Sequence, residues 1–322
     1  MDSEIKAVVD QIRKEFGGGS VFSLGTDPQI IDEQRERLSS GLYELDWCMG
    51  GGLVRGVMHE IYGPEASSKT TLALQIIKQC QKNGGKAFYC DAEHSLDITY
   101  AKKIGVDTEN LLISQPDYGE QGLDIVQTVA ESGVFDIIVI DSVTGLVPKS
   151  EIDGDFTDAN MGAHPRLMSK MCRVLTPIIN KQNIYFVVVN QVRQKIGVFF
   201  GSPETTTGGN GIKYYAGMRI RVSSTKESDN DNGVRLIKAD FKKQKWGTPY
   251  RNSIMRLVLG EGFDVGYDRL MYGLRCSFIE RNSSTYKLDG EWLGNGKVQA
   301  AKTLSENEDI IKRFNDHVIG KG

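Results

Sequence analysis

Apolar positions recur along this chain with two alternating periods. Ile5, Val8, Val9, Ile12 and Phe16 fall at helical spacing, and Gly17-Gly18-Gly19-Ser20 then breaks the pattern. This predicts a short N-terminal helical arm on a flexible joint, whose apolar stripe suits either its own core or a neighbouring molecule. From residue 57, short β-rich runs alternate with helical ones. VMHEIYG (57–63) precedes a helix over about 69–82, and KAFYCD (86–91) precedes helical stretches at 97–104 and 119–132. DIIVID (136–141) precedes a helix over about 164–181, which leads into IYFVVVN (184–190). Near-continuous apolar strands separated by helices are what a mostly parallel sheet, buried on both faces, requires. After Gly217 the runs MRIRVS, VRLIKADF and SIMRLVLG follow without helices between them, so antiparallel strands should end the sheet. From Tyr267 the elements become short, which predicts an arm over 1–32, an α/β core over 33–266 and a small α+β domain over 267–322.

Composition narrows the class without choosing a function. With 39% hydrophobic and 25% charged residues and no G-X-Y repeat, the chain is neither collagenous nor wholly disordered. A net charge of -3 demands no nucleic-acid partner, yet leaves room for a local basic surface. No apolar run approaches the length of a membrane span and the N-terminus mixes charges, so the expectation is a cytoplasmic protein with no membrane partner. The five cysteines include no C-x-x-C pair and read as reduced thiols rather than zinc ligands.

The candidate chemistry begins at Gly63-Pro64-Glu65-Ala66-Ser67-Ser68-Lys69-Thr70, which leaves a strand and opens a helix that continues through Thr71. Backbone N–H groups at such a turn cradle phosphates, Lys69 reaches the β/γ-phosphates, and the Thr70 hydroxyl can ligate Mg²⁺. Ser68 stands where the G-x-x-x-x-G-K-[ST] pattern has glycine. A side chain is tolerable there only at negative φ, so the expected geometry is negative φ with the hydroxyl turned from the phosphates. Asp141, ending DIIVID, is placed to hold the same Mg²⁺ through water, although alone it also fits a helix cap. Glu93 emerges at the carboxyl edge of the sheet and has two readings: a carboxylate that activates water, or an acid at a helix N-terminus.

These residues carry a resemblance. EIYGPEASSKTTL, YCDAEHSLDITYAKKIGVD, NLLISQPDYGEQ, VIDSV and above all NQVRQKIGVFFGSPETTTGGN are similar to the bacterial and phage RecA recombinases. Generic P-loop ATPases, replicative hexameric helicases included, lack this last loop. The resemblance implies a RecA-type P-loop ATPase core with ATP and Mg²⁺ as cofactors. It makes Glu93 the catalytic carboxylate, Asp97 and Tyr100 adenine contacts, and Gln191 the sensor of the γ-phosphate. It also implies two DNA-binding loops. The first, about 151–166, contains Met161, Gly162 and Arg166, with Ser169 and Arg173 following. The second, Arg193 to Asn210, contains Ile196, Phe199, Thr207, Gly208 and Gly209. Taken without the family, Phe199-Phe200 would more often be core than a wedge between bases.

Lys238, Lys242, Lys243 and Lys245 place four cations in eight residues, by composition a solvated strand edge. By resemblance, Lys243 and Lys245 cross a subunit interface to the neighbour's ATP, with Tyr214 an aromatic interface position. That geometry demands head-to-tail assembly into an open helical filament. The implied function is ATP-dependent homologous pairing and strand exchange between single-stranded DNA and homologous duplex, with DNA-stimulated ATP hydrolysis. KLDGEWLGNGK matches the small end domain associated with duplex DNA. The chain stops at Gly322 with no long acidic tail, so autoinhibition by such a tail is not expected. Two rivals remain on sequence: a nucleotide-gated filament with weak turnover, motivated by Ser68, and a ring-forming DNA motor of the same fold.

Overall fold

The structure is a computed structural model and describes residues 2–21, 35–155, 162–194, 204–225 and 233–319. Residues 1–36 form one unit and Arg37–Gly322 another. The first contains helix α1 (Ser3–Phe16), whose Asp2 carboxylate accepts from Glu4 N and which ends on Gly17. No residue of α1 is buried, and Ile5, Val8 and Phe16 are exposed.

The second unit opens with β1 (Arg37–Leu38), α2 (Tyr43–Met49) and β2 (Leu53–Val54). The alternating core follows: β3 (Val57–Gly63), α3 (Lys69–Lys82), β4 (Ala87–Asp91), α4 (Ile98–Ile104), β5 (Leu111–Ser114), α5 (Gly119–Glu131) and β6 (Ile137–Asp141). Next come α6 (Lys149–Ile152), α7 (Ala163–Gln182), β7 (Tyr185–Gln194), β8 (Glu204–Thr206), α8 (Gly211–Tyr215) and β9 (Met218–Ser224). Then β10 (Val234–Gln244), β11 (Asn252–Val258) and β12 (Gly262–Phe263) lead into α9 (Val265–Arg275). A meander of β13 (Ile279–Asn282), β14 (Thr285–Leu288) and β15 (Glu291–Asn295), with α10 (Lys297–Glu306) and α11 (Glu308–Ile319), completes the chain.

The large sheet runs β12-β11-β10-β9-β3-β7-β6-β4-β5, with β8 paired to β7. It is parallel from β9 to β5 and antiparallel from β9 to β12. Strand alternation divides the core into two layers. Tyr89, Val139 and Val187 face the cluster that holds α3 residues such as Leu72 and Ile76. Phe88, Ile138 and Phe186 face the cluster that holds Val126 of α5 and Leu175 of α7. The sequence pattern finds the core strands within a residue or two, except that β7 runs on to Gln194, past the expected end at 190, and β10 to Gln244, past the expected end at 241. It misses α2 and β5, which are too short to show a period of their own.

The C-terminal residues build a third cluster around Phe278, Tyr286, Leu304 and Phe314. Its link to the core is chemically specific. Asp268 on α9 is buried, and its carboxylate accepts from Tyr43 N and Glu44 N, so it caps α2 from another element. Burial pushes the Asp268 carboxyl well above the usual carboxylate range. Arg251 and Arg275 each lie over the Trp47 indole, 3.8 and 4.3 Å from the ring centroid, and Arg275 also pairs with Glu44 at 2.7 Å.

Candidate functional site

Strand β3 delivers the phosphate loop. A Cβ on Gly63 would lie 2.0 Å from Val222 O and 2.8 Å from Ser67 Oγ, so the backbone of β9 passes too close for any side chain. Inside the turn, Ser67 Oγ and Lys69 Nζ both donate to Pro64 O at 2.7 Å. Glu65 and Ala66 are exposed. Burial lowers the Lys69 pKa, and the charges of Asp141, Glu93 and Glu65 partly offset it.

The expectation for Ser68 is overturned. Its φ is +67° and ψ +30°, the left-handed conformation, and its side chain makes no capping bond to α3. Ala66 also has positive φ, at +53°. The turn into α3 therefore keeps the backbone that glycine serves best, and serine adopts it at a cost of about 1–2 kcal/mol.

Behind the loop, Thr70 Oγ1 donates to Asp141 Oδ2 at 2.6 Å, and Tyr89 OH donates to the same oxygen at 2.7 Å. Burial raises the Asp141 pKa, while the two hydroxyl bonds act against it. A hydroxyl beside a carboxylate is the hard-oxygen donor set that Mg²⁺ prefers. Among the described residues no three His, Cys, Asp or Glu side chains cluster as a self-sufficient metal cage. Such a pair fits an ion whose remaining ligands are water and phosphate oxygens.

Glu93 sits on the turn after β4. Its Oε1 accepts from the Ser142 hydroxyl and, at 3.1 Å, from Gln191 Nε2. The helix-cap role falls instead to Asp97, whose Oδ1 accepts from Tyr100 N at 2.9 Å at the start of α4. Tyr100 OH lies 3.1 Å from Thr71 Oγ1, which ties α4 to the helix that follows the phosphate loop. His94 Nε2 meets Pro116 O at 3.0 Å, a loop contact.

The two loop regions converge on α7. Gly162, at φ +90°, opens the helix, and Arg166, Ser169 and Arg173 fall three and four positions apart along one face. Arg166 and Arg173 are exposed, and Ser169 Oγ donates to Pro165 O at 2.8 Å. The second region leaves the sheet through exposed Arg193 and returns through Thr207, Gly208, Gly209 and Asn210. A Cβ on Gly208 would lie 2.9 Å from Met168 Cγ, so this limb packs directly on α7. Between the two regions lies a cavity of about 440 Å³ bordered by Thr144, Glu151, His164, Arg193 and Thr207. Thr207 N donates to Gln191 O at 3.2 Å, which joins the returning limb to the residue that touches Glu93. Met161, Ile196 and Phe199 lie outside the described residues.

Lys243 and Lys245 lie at the end of β10, where Lys243 pairs with Arg219 of β9. Lys243 Nζ donates to Lys213 O and Tyr214 O, both at 2.8 Å, and Lys245 Nζ lies 6.0 Å from the centroid of the Trp246 ring. Burial lowers the Lys243 pKa, and Lys245 and Arg219 add to the effect. Tyr214 is 73% exposed, unusual for so large a ring. The other end of β10 touches the phosphate loop, since Arg235 Nη1 donates to Ala66 O at 3.2 Å. Lys243 lies eight positions along β10 from Arg235, about 26 Å of strand. The phosphate loop is thus met by a side chain from the first part of β10, whereas the lysines lie in its last part, where Lys243 pairs with Arg219 of β9.

Sequence reasoning missed the Tyr89 and Ser142 contacts and the buried Glu60. For Glu60 a signal existed: a carboxylate in the middle of an apolar strand run needs a partner.

Residues 3–264 match the family model described as the RecA N-terminal domain. The RecA protein of Wolinella succinogenes is 44% identical over 321 residues, covering 98% of this chain and 91% of the relative. That of Sulfurimonas denitrificans is 45% identical over 313 residues, covering 96% and 90%. A solved structure of the RadB recombinase superposes with a TM-score of 0.56 at 24% identity, covering 70% of this chain and 98% of that one, which speaks for the fold. Among the described residues no helix is long and apolar enough to cross a membrane. With the phosphate loop, the Thr70–Asp141 pair and near full-length similarity all in agreement, the chain belongs to the RecA family, and its function is that family's: homologous recombination coupled to DNA-dependent ATP hydrolysis.

Proposed function

We propose that this chain binds ATP at Gly63–Thr71, with Lys69 on the β/γ-phosphates and Thr70 and Asp141, the latter through water, on Mg²⁺. Bound there, Mg²⁺ supplies charge neutralisation on the phosphate oxygens. Asp97 and Tyr100 hold the adenine. Glu93 orients and deprotonates the attacking water, and Gln191 reports the γ-phosphate to the second DNA loop. Lys243 and Lys245 complete the site of the next protomer in a head-to-tail helical filament. The loops around Gly162, Arg166, Ser169 and Arg173, and around Arg193, Thr207, Gly208, Gly209 and Asn210, hold single-stranded DNA by its backbone and present it to homologous duplex. The reading assigns residues 1–32 to polymerisation, 33–266 to the ATPase core and 267–322 to duplex capture, in a cytoplasmic protein.

The observation that carries this reading is the contact of Gln191 with Glu93 inside the chain, set against Lys243, which is held by the Lys213 and Tyr214 carbonyls while Ala66 of the phosphate loop is met by Arg235, eight positions earlier on β10. The test is phosphate release with and without single-stranded DNA, alongside negative-stain imaging. DNA-stimulated turnover together with open filaments is expected. Closed rings, or turnover indifferent to DNA, would overturn it.

A further inference from the structure

The strand that carries the phosphate loop also carries a charge that the ATPase chemistry does not use. Glu60 lies in β3, three residues before Gly63, and is 0% exposed. A carboxylate so placed needs strong partners on both oxygens. Its Oε1 accepts from Asn190 Nδ2 at 2.8 Å, and its Oε2 pairs with Arg219 Nε of β9. Arg219 in turn lies over the Tyr62 ring, 4.6 Å from its centroid. Both partners of Glu60 reach the second DNA loop. The Nδ2 of Asn190, itself 0% exposed, also donates to Thr207 O at 3.0 Å, and Arg219 Nη2 extends to within 3.5 Å of Thr206 Oγ1. Asn190 Oδ1 accepts from Gln191 N at 2.8 Å, so one amide grips the departing strand and the returning limb together.

From this arrangement we infer that Glu60 and Asn190 are positioning residues for coupling between nucleotide and DNA, acting through a buried clamp that fixes the base of the second DNA loop to the phosphate-loop strand. The inference rests on the reading of Gln191 and the second loop given above. The physical argument is one of rigidity. A displacement at Gln191 moves the loop only if the loop's two limbs share a fixed footing, and a buried network in which both Glu60 oxygens and the Asn190 amide are bonded provides one. Without the clamp, the limbs near Thr206 and Thr207 lose their common anchor. Changes at Glu93 and Gln191 are then absorbed locally.

The measurement is the ratio of single-stranded oligonucleotide affinities with ATPγS and with ADP, read by fluorescence anisotropy at fixed salt. Glu60→Gln and Asn190→Ala should each shrink this ratio at least about tenfold, while nucleotide affinity and DNA-free ATPase stay within about twofold of the parent protein. Because Glu60→Gln strands the Arg219 charge and risks unfolding, the double variant Glu60→Gln/Arg219→Met removes both charges. It should recover the thermal midpoint without recovering the ratio. Retention of the ratio in folded Asn190→Ala, or its recovery in step with stability in the double variant, would show that the clamp only holds the fold and would overturn the inference. A parent protein whose ratio is itself near one would instead refute the underlying reading of Gln191 and the loop.

Discussion

The two ends of β10 differ in kind. At one end Arg235 reaches the phosphate loop, where Lys69 donates to Pro64 O, Thr70 to Asp141 and Gln191 to Glu93, all within one chain. At the other, Lys243 is held by the carbonyls of Lys213 and Tyr214, beside an exposed aromatic ring. The first region is a site built by the fold. The second is a pair of cations held by backbone and an aromatic ring, and the difference teaches where the proposed division of the catalytic site between neighbouring copies has to be tested.

The largest test breaks that pairing. Lys243→Ala/Lys245→Ala should lose turnover on the order of 1,000-fold, the scale of a missing charge supplied in trans. Lys69→Ala should be similarly inactive. Mixed with each other, the two should regain ATPase at junctions that pair an intact phosphate loop with intact lysines. No recovery at any mixing ratio, once co-assembly is verified, would place the lysines in cis and erase the contrast.

A second test sharpens the self-contained end. Glu93→Gln should retain ATP and DNA binding while hydrolysis falls at least ~100-fold, about 2.7 kcal/mol of activation free energy. Filaments formed with ATP should then persist. A comparable loss of ATP affinity would make Glu93 a structural residue.

Smaller effects probe the loops at either side. Ser68→Gly removes a side chain from a left-handed position. It should raise thermal stability by about 1 kcal/mol, net of glycine's extra freedom when unfolded. Turnover should change less than about tenfold, and a larger gain would mean that serine obstructs the phosphates. Arg193→Ala should reduce the salt slope of single-stranded DNA binding by less than about one unit, against a slope near -0.7 per phosphate neutralised. An effect that varied strongly with base composition would contradict a backbone contact.

How much of this was legible beforehand follows from range. Periodicity is local, so β3, α3, β6 and α7 were readable from their own residues, as was the pairing of the phosphate motif with Asp141. The backbone angle at Ser68 was misread because the residue type argued for negative φ, while the strand-to-helix turn imposed the left-handed form. Contacts such as Ser142 with Glu93, or Arg219 with Glu60, bridge segments 49 and 159 residues apart, and no pattern in one segment announces the other. Glu60 was missed although a carboxylate inside the apolar run VMHEIYG was a signal, and nothing in that run announced its partners. The family resemblance supplied roles for Lys243 and Lys245 that composition alone would have assigned to solvent.

The cap that Asp268 lends to α2 bears on how the protein can be cut. Removing everything after residue 266 would strip the first turn of α2 of its acceptor, Glu44 of Arg275 and Trp47 of one of its two guanidinium neighbours. The leftover fragment would carry a frayed helix beside β10 and β11, against which α2 packs. Shortened versions intended to isolate the ATPase should therefore melt at lower temperature than the parent, and substitutions at Asp268 should reproduce part of that loss in the full-length chain. The C-terminal segment thus serves as a splint for the nucleotide-binding half.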